Sequence, residues 1–315
     1  MNKQELLQKI TQKKEFSQLP KKDVEIAFSH FEKREVSDEE KIKLTRELLH
    51  KVYGAFTSQK LLSPKNKSEE WILRKHLSTR ERLPYYKEVY ERILKEFENK
   101  KISIIDLGAG VNGFSYKFFV DAMSLPRQPA LRSPFLQPPA LRSPAFRPIS
   151  FIKVNYICVE AVGQLVELMN NYFENSPRDD SSKDTQGGHE NLRAGDTAVP
   201  SGEPEKLNAK AIHESLFNLE KIKKIILETK KPRIIFLFKV LDSLEMLERD
   251  YSKKLISEIA SLADKLVISF ATRSMIKRKQ FLVNRNWILD FIKKNFKILD
   301  DFEIGGERYI CFRSP

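Results

Sequence analysis

Residues 104–115, IIDLGAGVNGFS, constrain the fold more than any other segment. Ile102, Ile104 and Ile105 form an apolar run that ends at Asp106, and Gly108 and Gly110 follow at once. An apolar strand that breaks into glycine implies a sharp turn, where the missing Cβ lets the backbone approach a ligand closely. A strand, a glycine-rich turn and a helix in that order suit a nucleotide-like ligand at the carboxyl edge of a parallel sheet. Gly108, Gly110 and Gly113 also satisfy G-x-G-x-x-G, which by itself suits a dinucleotide as well as S-adenosylmethionine. Two details favour the second. Asp106 stands two residues before the first glycine, where a carboxylate attracts a cationic methionine moiety and repels a pyrophosphate. About 100 residues of helical, basic sequence precede the turn, whereas dinucleotide domains often open a chain.

Residues 1–97 read as a helical domain. Ser37 with Glu40 predicts a capping box ahead of KIKLTRELLHKVYGAF, in which Leu48, Leu49, Val52, Tyr53 and Phe56 form an apolar stripe. Tyr86, Val89, Tyr90, Ile93, Leu94 and Phe97 recur at the same helical spacing, as core rather than as a base-stacking platform. Residues 98–315 alternate strands with helices. Strands are expected in IIDLG, FIKVNYICVE, RIIFLFKVL, KLVISF, FKILDDFEI and RYICFR, the last two joined by a hairpin turn at Gly305 and Gly306. Parallel strands closed by such a hairpin predict an α/β fold, the Rossmann-like seven-stranded sheet of class I S-adenosylmethionine-dependent methyltransferases.

Two stretches break this alternation and read as disordered insertions. Residues 124–149 repeat PALRSP and hold seven of the fifteen prolines, too many for a sheet ladder. Residues 176–205 are rich in Ser, Asp, Gly and Pro and have no aromatic residue. The first insertion explains a spacing. An acid at the end of the second strand binds ribose about 20 residues beyond the glycine turn. Glu160 stands 50 residues beyond Gly110, and setting aside residues 124–149 leaves 24. Glu160 is therefore the expected ribose ligand.

The formal charge of +13 points to a polyanionic partner, most often nucleic acid. Cys158 and Cys311 lie in apolar strand-like runs, as buried free thiols. No Cys/His cluster has metal-binding spacing, no run is long enough for a membrane span, and MNKQELLQKI lacks the apolar core of a signal peptide. A metal-free, cytoplasmic monomer is the expectation.

The acceptor is constrained by what is missing. No Asn/Asp-Pro-Pro-aromatic motif for an exocyclic amine follows RIIFLFKVL, and neither cysteine sits on a catalytic loop for attack from a pyrimidine carbon. Guanine N7 exposes a lone pair and needs no general base. Lys239, at the carboxyl end of that strand, is placed to bond guanine O6 or else snorkels at a strand edge. From Arg273 to Lys297 there are eight Lys/Arg and one acid, Asp290. Arg273, Lys277, Arg278 and Lys279 in this stretch are candidate RNA phosphate contacts.

At these residues the chain resembles the aminoglycoside-resistance methyltransferases that modify guanine N7 in the decoding site of 16S ribosomal RNA. HLSTRERLPYYKEVY is similar to that family's His-x-Ser-Thr-x-Glu-Arg segment, and IIDLGAGVNGF to its Asp-x-Gly-x-Gly-x-Asn turn. LFKVLDSLE, SFATRSM and IGGERYICF resemble its later motifs, in the same order. Asp242 stands where the family usually has proline, and Glu160 where it often has aspartate. The resemblance implies an N-terminal domain that docks on the small ribosomal subunit, and a HLSTRER segment reaching over the cofactor. It implies that Arg82 binds the methionine carboxylate, and that His76, Ser78, Asn112 and Ala161 join the cofactor site. Lys239, Arg273 and Glu307 match positions implicated in methyl transfer or target binding. Two rival readings stay open: the same fold acting on another RNA position or a small molecule, and a non-catalytic RNA-binding assembly factor.

Overall fold

The computed structural model describes residues 1–62, 68–98, 100–124, 154–175, 208–272 and 285–315. Helices come first: α1 Lys3–Thr11, α2 Lys21–Glu32, α3 Asp38–Tyr53, α4 Gln59–Leu62, α5 Glu69–Lys75, α6 Leu77–Arg82 and α7 Tyr86–Leu94. Side-chain caps start α1, α3 and α5. The Ser37 Oγ accepts from Glu40 N at 3.2 Å, which is half of the predicted box. The complete, reciprocal box belongs to Asn2 and Glu5 at α1. Both predicted stripes are turned inward, and Tyr86, Val89, Tyr90 and Ile93 are fully buried.

The rest alternates: β1 Ile102–Leu107, α8 Tyr116–Ser124, β2 Val154–Glu160, α9 Gly163–Asn175, β3 Ala209–His213, α10 Leu219–Leu227 and β4 Arg233–Phe238. Then follow α11 Leu241–Leu247, α12 Tyr251–Ala260, β5 Lys265–Ala271, α13 Asn286–Asn295, β6 Lys297–Ile304 and β7 Glu307–Arg313. The seven strands form one sheet in the order β3-β2-β1-β4-β5-β7-β6. β1 to β5 are parallel, and β7 runs antiparallel to both β5 and β6. Central β1 and β4 are buried at every residue, as a parallel sheet covered on both faces requires, whereas edge strand β6 buries only Phe302.

β3 is the strand that the apolar pattern did not pick out. It has five residues, two of them alanine, with Lys210 and His213 interleaved, and so lacks the β-branched or aromatic run of its neighbours. The β6–β7 turn is as expected: Gly305 and Gly306 have φ of 61° and 78°, the left-handed pair that a two-residue hairpin favours.

The helical region and the sheet share one continuous core that runs from Leu6 to Phe312. Polar ties cross it as well. Lys265 at the start of β5 is buried and donates to Ile93 O at 2.7 Å. Arg92 forks onto Asp300 at 2.7 and 2.9 Å, and His30 Nε2 bonds Leu247 O at 2.7 Å. The second insertion, 176–205, lies outside the described residues, as does the first, 124–149, beyond Ser124.

Candidate functional site

A cavity of about 270 Å³ opens at the carboxyl ends of β1, β2 and β4, near the low end of the range for ligand sites. Its floor is the glycine turn. Gly108 has φ 71°, and a Cβ there would stand 2.5 Å from Val240 Cγ2, so only glycine fits between β1 and the segment after β4. Gly108, Asn112, Glu160, Ala161 and Lys239 all line the cavity, joined from the helical region by His76, Ser78 and Arg82. Residues as far apart in sequence as His76 and Lys239 thus meet at one sheet edge.

Three of the residues expected at the site stand behind its wall instead. Asp106 is not part of the lining, because at 1% exposure it is enclosed by the sheet and its neighbours. Its Oδ2 accepts from Asn112 Nδ2 at 2.7 Å and from Tyr156 OH at 2.8 Å, while Oδ1 has no hydrogen-bond partner. Burial raises its carboxyl above the usual range, against those two bonds. Asp106 therefore orients Asn112, which itself lines the cavity. Gly110 is covered by Phe56: at φ 53°, a Cβ on it would be 2.5 Å from Phe56 Cε1. Glu307 lies under Arg82 and Lys239.

These last three form a buried charge cluster with Glu81. Arg82 Nη2 and Nε donate to the two Glu307 oxygens at 2.6 and 3.3 Å, and both side chains are 2% exposed. Nε also reaches Tyr309 OH at 3.1 Å, and Nη1 donates to Asn112 Oδ1 at 2.8 Å. A guanidinium has five N–H groups. Those bonds engage Nε and one N–H on each terminal nitrogen, and Tyr86 OH is close enough to take another. Lys239 Nζ donates to Glu81 Oε2 at 2.6 Å and lies 3.2 Å from Glu307 Oε2. Its backbone is left-handed, with φ 52°, strain that aims the side chain across the end of the sheet. Burial pushes the Glu307 carboxyl up, but Arg82 and Lys239 outweigh it and hold the group below the usual carboxylate range. Ser269 also donates to it.

His76 is neutral at physiological pH. Burial, then the nearby Lys239 and Arg82 charges, bring its pKa down to about 4. Its ring stacks on Phe56 with centroids 4.2 Å apart, and Nδ1 is 2.7 Å from Ser78 Oγ. Glu160 binds the turn itself: Oε2 accepts from Gly110 N at 2.8 Å and Oε1 from Val162 N at 3.0 Å. Each oxygen keeps further acceptor capacity. Burial raises this carboxyl above its usual range, against those backbone donors.

The cavity also takes in residues that helical periodicity alone assigns to the core. Val52, Tyr53 and Phe56 belong to a stripe read as core, and here they form part of the cavity wall. Asp23 of α2 also lines it. The signal was present, since Asp23 falls on the buried face with Val24, Ala27 and Phe28. Glu81 was the unassigned acid of HLSTRER. Arg273, Lys277, Arg278 and Lys279 lie outside the described residues. Among the described residues, no cluster of His, Cys, Asp or Glu could hold a metal ion, and no helix is long and apolar enough to cross a membrane.

No family model and no curated protein matches the chain. Solved structures do. RmtF, a 16S rRNA methyltransferase crystallised with S-adenosyl-L-homocysteine, superposes with a TM-score of 0.63 at 16% identity, over all of both chains. The 16S rRNA methylase RmtB gives 0.63 at 15%, over 100% of this chain and 99% of its own. An rRNA methylase from Escherichia coli gives 0.62 at 14%, again over all of both chains. At such identities the likeness is one of fold, and it extends to the helices that precede the sheet. The chain has the class I methyltransferase fold, in a form similar over its whole length to that of the 16S rRNA methyltransferases RmtF and RmtB.

Proposed function

We propose that the chain is an S-adenosylmethionine-dependent methyltransferase acting on guanine N7 of 16S ribosomal RNA in the decoding region of the small subunit. The observation that carries this reading is the place of α6. It brings Arg82 and Glu81 against Lys239 and Glu307, beside a glycine-floored cavity that Arg82 and Lys239 line, in a fold like that of RmtF.

The donor set fits the cofactor from end to end. Arg82 keeps a terminal N–H, and its charge, for a carboxylate. Glu160 has spare acceptor capacity for ribose hydroxyls. Leu216, Phe217, Leu244 and Leu247 give an apolar slot for a flat base. S-adenosylmethionine, when bound, supplies an electrophilic methyl group on a sulfonium. Asn112, His76, Ser78 and Ala161 complete the walls that would position it, with Asp106 and Gly110 supporting them from behind. Alignment of acceptor and methyl supplies much of the rate in such a transfer.

Lys239 has three N–H groups, and its contacts to Glu81 and Glu307 leave one for guanine O6. Holding O6 places N7 of the same base, and no group need remove a proton from N7. Glu307 holds Lys239 and Arg82 in place through its two ion pairs. Arg273, Lys277, Arg278 and Lys279 are proposed to hold phosphates, and residues 1–97 to dock on the assembled subunit, with the enzyme a cytoplasmic monomer.

The test is transfer of labelled methyl to purified small subunits, followed by borohydride and aniline cleavage at 7-methylguanosine. Cleavage within the decoding region supports the proposal. Label in RNA without cleavage means another position. Calorimetry that detects no S-adenosylhomocysteine binding would favour the non-catalytic assembly factor instead.

A further inference from the structure

Glu81 is the one member of the charge cluster that has no part in the chemistry above. α6 turns Ser78, Thr79 and Arg82 into the cavity, but Glu81 is not part of the lining and meets the site only through Lys239. Its Oε2 accepts from Lys239 Nζ at 2.6 Å. Among the described residues nothing donates to Oε1, and that oxygen is not sealed from solvent. As counter-charge to Lys239, Glu81 uses one oxygen. The other is an acceptor held at a set position beside the ammonium.

The order of groups along one side of guanine matches the order of groups at the site. Guanine carries N7, O6 and N1–H in that sequence. The methyl group comes from the cavity, so N7 faces the cavity. O6 meets the remaining N–H of Lys239, which lines the cavity wall. N1–H comes next, beyond the ammonium, where Glu81 stands. The ammonium, O6, N1–H and the carboxylate then close a ring of three hydrogen bonds, and the one from Lys239 to Glu81 is already made. Adenine reverses both contacts: its amino group would face the ammonium, and its bare N1 lone pair the carboxylate. Enzymes that act on a base read the extruded base along this same edge.

We propose that Glu81 Oε1 accepts a hydrogen bond from N1–H of the target guanine, so that Glu81 and Lys239 together admit guanine and reject adenine. The inference rests on the reading of guanine N7 as acceptor given above. It makes Glu81 a base-reading residue and not only the counter-charge of Lys239.

The test uses the full chain and small subunits reconstituted with guanosine or 1-methylguanosine at the nucleotide that borohydride and aniline cleavage identifies. 1-Methylguanosine keeps N7 and O6 and carries a methyl group in place of the N1 proton. Wild type should lose at least about tenfold in kcat/KM for labelled methyl transfer to the 1-methylguanosine subunits. Glu81→Ala removes the acceptor and makes room for that methyl group. It should slow transfer to the guanosine subunits, yet bring the two substrates within about threefold of each other. Any effect of the modification on the subunit itself is common to both enzymes and cancels in the ratio. If Glu81→Ala slows transfer to both substrates and keeps the wild-type ratio, Glu81 only holds Lys239 and the proposal is overturned. Should Glu81→Ala fail to melt cooperatively, wild type decides alone: transfer to the two kinds of subunit within about threefold overturns the proposal, and a loss of about tenfold or more supports it. The two readings fail separately. Absence of aniline cleavage on guanosine subunits removes the N7 reading and this inference with it, whereas cleavage with the ratio kept removes Glu81 alone.

Discussion

Glu307→Gln is the substitution that most sharply tests the charge cluster. Arg82, Lys239, Glu81 and Glu307 carry two positive and two negative charges, so the group is neutral as a whole. Arg82 and Glu307 are each 2% exposed, and Lys239 and Glu81 are 14% and 8% exposed, so water screens none of them well. Glutamine preserves shape but leaves the cluster at net +1. An uncompensated buried charge costs about 3–5 kcal/mol. Arg82→Met leaves net −1 and should cost a similar amount. The double variant returns to neutrality, with Lys239 facing Glu81. Its loss of stability should therefore fall short of the sum of the single losses by at least about 2 kcal/mol. Urea unfolding at pH 7, read by circular dichroism with the slope m unchanged, measures all three. The reasoning is refuted if Glu307→Gln costs less than about 1 kcal/mol, or if the two single losses simply add.

The other predictions concern His76, the turn and the acceptor side. The folded His76 ring resists protonation down to about pH 4, whereas the unfolded one takes a proton near 6.5. Wild type should lose stability relative to His76→Gln as pH falls through that window, by on the order of 3 kcal/mol, and lose none above pH 7; a flat difference would contradict the burial argument. Gly110→Val puts a branched side chain at φ 53° and into Phe56, so it should cost at least about 1–2 kcal/mol and weaken S-adenosylhomocysteine binding in calorimetry. Unchanged affinity would separate the turn from the site. Lys239→Ala should keep small-subunit binding but slow methyl transfer at saturating RNA, and full turnover would remove Lys239 from the chemistry. Neutralising Lys277, Arg278 and Lys279 together should flatten the salt dependence of subunit binding by about one unit of slope for each phosphate no longer held, with cofactor affinity kept. An unaltered slope would place the RNA elsewhere.

Why some of the site was legible and some was not follows from the range of each interaction. The stripe through Val52, Tyr53 and Phe56 told which face of α3 and its extension is buried. It did not tell against what, and here the partner is partly a cavity. Gly110 was legible as a turn, but the atoms above it belong to Phe56, 54 residues earlier. Arg82 and Lys239 were each singled out, and their meeting through Glu307 was not, because those partners are 225 residues apart in the first case and Lys239 reaches Glu81 across 158.

The chain by itself determined what depends on near neighbours. Continuous apolar runs specify buried parallel strands, Gly305–Gly306 specifies a tight antiparallel hairpin, and Ser37 and Asn2 start helices through bonds three residues away. Such features involve one or two turns of backbone and survive in any tertiary context. Tertiary structure alone decided which polar groups face one another. The crossover order β3-β2-β1-β4-β5-β7-β6 carries β7 between β5 and β6, and so sets Glu307 beneath Arg82. The same packing turns Asp106 away from the cavity and Asp23 into it. Periodicity assigns a residue to a buried face, but the partner that neutralises a buried charge is fixed only when distant elements close around it.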